Sequence, residues 1–391
     1  MNQHLIGPFA LFMKESPLSR RITAAAGAAV LGLFLVGAAP AQAAPDPSGS
    51  SRHHRAVLRD TAAAPALAAA SPNFDRIAGA NRYATAVAVS EATFPTGTWA
   101  GGEPVTDIWV ASGTDFPDAL ATGPIAAGSG PVLLVPATGT VPAAVLNEID
   151  RIATANTSVN STVVHVIGGT GAVSAAVFNQ LAAVAPGISR EAGANRYETA
   201  ALLAVANNDS WIADSGSGVE AVYVANGLGF ADALGGGGAA AGNTGALVLT
   251  SPTTLPSATQ QALTMIDPAT VYILGGTGAV STAVENQIVG LLPGATVTRL
   301  GGTNRYDTAV KISQELYAPA SEVVLVNGLN YPDALSAAPF AGLLAASTLL
   351  TAGPCDTAGT VAEVDRLAAP WVTAIGGTGV VSDNALTLGV C

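Results

Sequence analysis

Apolar residues in this chain come in short unbroken runs, and the runs alternate with stretches of helical spacing. Between residues 107 and 184 the order is easy to follow. DIWVA at 107–111, PVLLV at 131–135 and TVVHVI at 162–167 have strand length and are rich in aliphatic residues. Between them, 117–127 reads as a helix of small residues, and 141–152 puts Val145, Ile149 and Ile152 on one helix face. A further helix, 174–184, follows the third strand. Strands that are apolar throughout, rather than alternating, are covered on both faces. The β/α alternation therefore predicts a parallel sheet clothed by helices, a doubly wound, Rossmann-like α/β unit.

The unit occurs three times. Arg76-Ile77-Ala78-Gly79-Ala80-Asn81-Arg82-Tyr83 returns at 190–197 and again at 299–306, each followed by a Thr-Ala pair beginning at Thr85, Thr199 and Thr308. A second landmark is an aromatic residue, any residue, then Asp-Ala-Leu: Phe116 with Asp118, Phe230 with Asp232, Tyr331 with Asp333. The third begins at Ile167, Leu274 and Ile375 and reads Gly-Gly-Thr-Gly, any residue, Val-Ser, starting with Gly168-Gly169, Gly275-Gly276 and Gly376-Gly377. The spacing of about 100 to 114 residues means whole domains in tandem rather than solenoid repeats. The expected modules are 73–187, 188–296 and 297–391.

What precedes them has a different character. Lys14, Arg20 and Arg21 stand before an uncharged apolar run at 22–39, and Ala41-Gln42-Ala43 has the small-residue pattern of a cleavage site. Residues 1–43 read as a signal peptide, with an uncleaved membrane anchor as the rival reading, and Sec or Tat export both open. Residues 44–72, rich in Pro, Ser and Ala, read as a flexible linker. An exported chain with an even cysteine count suggests one disulfide, Cys355 to Cys391, against the alternative of two free thiols.

Charge narrows the possible partners. The whole chain carries −12, and residues 73–391 hold nine basic against 24 acidic side chains. Nucleic acid, which demands a basic face, is not an expected partner. Six of those nine cations are the two arginines of the first landmark, three times over. Arg82, Arg196 and Arg305 either pair with Asp118, Asp232 and Asp333 as structural locks or meet an anionic ligand, and both hold if the pair lines a groove. The Gly-Gly-Thr-Gly turns are either tight strand-to-helix connections or anion sites formed by N–H groups at a helix start. No cofactor fingerprint, metal-ligand cluster or catalytic triad is evident, so no cofactor, no metal and no enzymatic activity are expected. His165 aligns with Tyr272 and Thr373 and reads as packing or surface.

With these landmarks in place, the chain resembles the cell wall-binding repeat 2 family of Gram-positive bacteria, over roughly residues 73–391. The resemblance implies Rossmann- or Toprim-like modules in a pseudo-threefold triangle. It also implies non-covalent attachment to anionic wall polymers, such as teichoic-acid-like or other secondary polysaccharides. With the leader, this makes a secreted, wall-associated protein, and modules that close on themselves need no further oligomer, so a monomer is expected. The alternatives are an envelope scaffold for other proteins, or a modifier of an autolytic N-acetylmuramoyl-L-alanine amidase. The family's Pro-aliphatic-Leu-Leu strand is kept at Pro131-Val132-Leu133-Leu134, while the matching strands at 245–248 and 347–350 lack the proline.

Overall fold

The computed structural model describes residues 71–99, 102–115, 117–156 and 162–391. The expected signal peptide, all of the linker but its last two residues, and Phe116 lie outside the described residues.

Three four-stranded parallel sheets make up the molecule, as the pattern predicts. In the first, β2 (Asp107–Ser112), β3 (Val132–Val135), β4 (Val163–Ile167) and β5 (Gly187–Glu191) lie in the order β3-β2-β4-β5. The second repeats that order with β6 (Ala221–Asn226), β7 (Gly245–Thr250), β8 (Thr270–Leu274) and β9 (Thr296–Leu300). The third contains β10 (Val323–Asn327), β11 (Ser347–Thr351) and β12 (Trp371–Ile375). Its fourth strand is β1 (Asn73–Ile77), the first strand of the described chain, which pairs in parallel with β12 from Asn73 against Trp371 to Ile77 against Ile375. The strand of the first landmark therefore completes the sheet of the preceding copy, and the last sheet closes back on the first strand. Sequence repeat and sheet are offset by one strand.

Each landmark strand turns directly into a helix: α1 (Arg82–Thr93), α5 (Arg196–Ser215) and α9 (Arg305–Leu316). Asn81, Asn195 and Asn304 are their N-caps, in extended conformation, with the side-chain oxygen accepting the two N–H groups that follow Arg in each helix. Asn is among the best residues for this position, because its oxygen satisfies N–H groups that the first turn leaves orphaned. The outer helices α3 (Ala143–Ala155), α4 (Ala175–Ala182), α7 (Ser257–Ile266), α8 (Thr282–Leu291), α11 (Ala358–Leu367) and the short α12 (Asp383–Leu386) complete the layers. In the first two modules their apolar sides enclose separate outer cores, around Ile149 and Leu181 and around Leu263 and Ile288.

A larger inner core runs through all three modules. At its centre meet α2 (Thr122–Ala126), α6 (Ala231–Gly242) and α10 (Pro332–Leu344), which pack against one another. Small residues stand where these helices meet because the backbones touch. A Cβ on Gly123 would lie 2.7 Å from the Cβ of Ala338, and one on Gly342 would lie 2.6 Å from that of Ala241. The first-copy helix is shorter than the expected 117–127, since residues 117–121 form turns. A proline at this place does not of itself end the helix, since the equivalent Pro339 lies inside α10. In the third module Cys355 and Cys391 are joined by a disulfide, beside paired backbone bonds between Asp356 and its neighbours Gly389 and Cys391. Among the described residues no helix is long and apolar enough to cross a membrane.

Candidate functional site

In a doubly wound sheet, ligands meet the carboxyl ends of the strands where the strand order reverses. Here that point lies between β2 and β4, between β6 and β8, and between β10 and β12. All three landmarks converge on it, and the aspartates are where they meet.

Within each module the aspartate lies against the glycine turn. Gly168, Gly275 and Gly376 have φ of 91°, 94° and 119°, a region that side chains rarely adopt. A Cβ on Gly168 would sit 2.5 Å from Asp118 Oδ2 and one on Gly376 2.8 Å from Asp333 Oδ2, with Gly275 equally close to Asp232. Glycine is required twice over, for the conformation and for the space. The second glycines, Gly169, Gly276 and Gly377, have open space or ordinary contact distance where a Cβ would be.

Between modules the same aspartate faces the next copy. Asp118 is hydrogen-bonded to Thr199 and lies in the field of Arg196; Asp232 relates in the same way to Thr308 and Arg305. Asp333 closes the ring with Thr85 and Arg82. This cyclic pattern is the pseudo-threefold relation of the molecule. Burial raises all three carboxyls above the usual range, against the pull of the threonine and arginine. Asp333 is pushed up to about 6.

The arginines do two different jobs. Arg190 donates to the carbonyls of Gly168 (2.6 Å) and Val173 (2.9 Å), Arg299 to that of Gly275 (2.9 Å), and Arg76 to those of Gly376 and Val381 (both 2.7 Å). These first arginines clamp the glycine turn of the preceding copy, a role not read from the sequence. The second arginines reach the loop after the first strand of their own module. Arg196 donates to Gly227 O (2.7 Å), Arg305 to Gly328 O (2.5 Å), and Arg82 to Gly113 O. They remain half-buried at the rim, next to the aromatic landmark of the neighbouring module: Arg305 lies over the Phe230 ring at 5.6 Å, and Arg82 is hydrogen-bonded to Tyr331. Phe116, the third aromatic, is outside the described residues.

The glycine turns are less open to an anion than a bare helix start. The N–H of each first glycine already bonds to a strand carbonyl, Glu191, Leu300 or Ile77. The helices begin later, at Ala175, Thr282 and Asp383, and are capped by the hydroxyls of Ser174, Ser281 and Ser382. The geometry thus accounts for these glycines as tight, clamped turns.

His165 is neither a surface residue nor simple packing. It is only 1% exposed and stacks on Trp109 at 4.5 Å, with Nε2 2.8 Å from Asp107 Oδ1 and Nδ1 2.9 Å from Ser189 Oγ and 3.3 Å from Glu191 Oε1. Asp, His and Ser are brought together from β2, β4 and β5, which their distance in sequence concealed. The arrangement is not that of an activated nucleophile, because the Ser189 hydroxyl is donated to Glu191 Oε1 at 2.8 Å. Burial opposes the imidazolium, but the bonds to Asp107 and Glu191 outweigh it and raise the pKa of His165. It is a buried charge cluster of the first module alone.

The cap, clamp and junction thus recur in register with the sequence landmarks. A family model, Cell wall binding domain 2 (CWB2), matches residues 76–178, 190–285 and 299–386. The chain belongs to the CWB2 family. CWB2 proteins are wall-associated, and cell wall binding is the function this membership carries. The chain is similar to N-acetylmuramoyl-L-alanine amidase LytC of Bacillus subtilis (strain 168), at 30% identity over 286 residues, covering 73% of this chain and 52% of LytC. Among solved structures it resembles Cwp8 from Clostridium difficile, with a TM-score of 0.69 and 26% identity over 79% of this chain and 50% of Cwp8. Cwp6 from the same organism gives a TM-score of 0.70 at 23% identity, over 85% of this chain and 51% of Cwp6, a likeness of fold. The chain spans about half the length of these relatives.

Proposed function

We propose that this CWB2 chain is a secreted, non-catalytic, monomeric wall protein that holds an anionic wall polymer non-covalently at its module junctions. The observation that carries this reading is the placement of Arg82, Arg196 and Arg305. An acidic molecule sets one half-buried guanidinium at each junction, and at two of them it lies beside a described aromatic ring of the neighbouring module. Guanidinium suits phosphate and carboxylate groups, and the aromatic and aliphatic rim suits sugar faces. The loops add Leu228 and Leu329, each 61% exposed, next to Phe230 and Tyr331. Three weak sites on one frame gain avidity on a repetitive polymer. The acidic background confines the attraction to these junctions and makes it sensitive to salt.

The test is co-sedimentation of the mature protein with purified Gram-positive walls, before and after their anionic secondary polymers are stripped. Stripping is expected to abolish binding, as is the combined change of Arg82, Arg196 and Arg305 to Ala in a protein that keeps its circular dichroism. Unchanged retention of that triple variant would remove the arginines as ligand contacts. The exposed leucines favour one second reading, a scaffold for a protein partner, for which binding to both wall preparations would be absent. The likeness to LytC spans half of that protein and lends little weight to a part in amidase action.

A further inference from the structure

The three junctions are alike in architecture but not in charge. Where the second module meets the third, Arg305 lies over Phe230, and a ring face attracts the cation without engaging its in-plane N–H groups. Where the third meets the first, the corresponding aromatic is Tyr331, whose hydroxyl is bonded to Arg82. The same hydroxyl also lies in the field of Asp115. Asp115 is exposed on the loop between β2 and α2, its N–H held by Ser112 Oγ at 3.2 Å. Its carboxylate bears on Asp118 too, at the junction of the first module with the second. One carboxylate therefore acts on two of the three junctions. The other copies have Gly229 and Asn330 at that place, and the groups acting on Asp232 include no such acid.

Cations differ in the opposite sense. Lys311 is on α9, the helix that begins with Arg305, and donates to Gly301 O at 2.6 Å, beside the Gly275 turn of the second module. The equivalent positions on α1 and α5 are Ala88 and Leu202. Asp307, in the first turn of α9, is turned back onto the cap residues Thr303 and Asn304. Glu198 does the same at the Arg196 junction, bonding Ala194 N at 2.8 Å, but no lysine accompanies it.

From this asymmetry we infer that the Arg305–Phe230 junction is the principal polymer subsite, and that Tyr331 engages Arg82 in place of the polymer while the exposed Asp115 beside it repels an anionic group. The inference rests on the reading of the junctions as polymer sites. An anionic repeat unit reaching the Arg305 junction finds a guanidinium over an aromatic ring, an exposed leucine and a nearby ammonium. At the Arg82 junction it meets a guanidinium already bonded to a phenol and a carboxylate that repels it.

Single variants separate the junctions, using purified Gram-positive walls as the probe and measuring the bound fraction against protein concentration. Arg305→Ala is expected to weaken binding tenfold or more, and Arg82→Ala less than twofold. Asp115→Asn should strengthen binding several-fold at low salt. Because Arg305 also bonds Gly328 O, two milder changes accompany it: Arg305→Gln, which keeps a donor without the charge, and Lys311→Ala, which alters only the rim. Each should weaken binding at least threefold. Equal loss from Arg82→Ala and Arg305→Ala, or no gain from Asp115→Asn, would overturn the inference while leaving the polymer reading intact. Full binding by the triple arginine variant would instead overturn the reading of the junctions as the polymer sites.

Discussion

At the scale of single residues, Asp333 shows what the junction costs and why an acid is nonetheless there. It sits under the clamped turn of its own module and accepts from Thr85 of another, and its Oδ1 is buried without a hydrogen-bond partner. A carboxyl in such a place favours its protonated form. The sign of the pH effect follows from linkage: the folded pKa, about 6, is above the ordinary 3.8. The native state thus binds the proton more tightly than the unfolded chain, so stability is full below about pH 4 and declines as pH rises to about 6. Asp333→Asn keeps the shape and an acceptor for Thr85 and removes the titration. Urea unfolding at pH 4.5 and 7.5 should show the wild type losing about 1–3 kcal/mol across that range beyond whatever the variant loses. Parallel curves for the two proteins would mean that the ionised carboxylate is fully compensated by Arg82.

At the scale of elements, the glycine turn is the connection whose chemistry can be tested most sharply, because adjacent glycines differ. Gly168 has positive φ and its missing Cβ is replaced by Asp118; Gly169 meets nothing. Gly168→Ala should destabilise by about 2–4 kcal/mol, through backbone strain and displacement of the aspartate, and Gly169→Ala by less than about 1. Thermal unfolding of the two variants decides this, and similar losses would refute the packing role of the first glycine. Elements of this kind also show what the sequence disclosed. The runs at 107–111, 131–135 and 162–167 became β2, β3 and β4 almost residue for residue, since a buried strand is written in its own side chains. The spacing also set one junction aspartate and one junction arginine in every copy. It did not reveal that Asp118 faces Arg196 rather than Arg82, nor that Arg190 clamps Gly168, because those partners are fixed by strand pairing and module contact. The Asn81 cap could have been read locally, as a good N-cap residue directly before a helical run. His165 could not, since Asp107 and Glu191 come to it only across the sheet.

At the scale of the whole molecule, the cyclic order makes distant parts of the chain depend on one another. The strand Asn73–Ile77 heads the first sequence repeat but belongs to the third sheet. It covers the edge of β12, and Arg76 holds the Gly376 turn and reaches Asp383 at 3.0 Å, some 300 residues away. A shortened protein beginning at Ala78 loses this edge and its clamp. Each hydrogen bond is worth about 1 kcal/mol net, and several go at once, together with burial of Ile77 against the inner core. The expected result is a fall in Tm of roughly 5 °C or more. Amide exchange then locates the damage: protection should drop in β12 and around Gly376, and remain in β4 and β8, whose own edge strands are intact. The repeat pattern alone would place the loss in the first module, next to the deleted residues. Loss of protection at β2 to β4 with β12 unaffected would therefore contradict the closed ring, and with it the rigid frame on which three weak sites could act together.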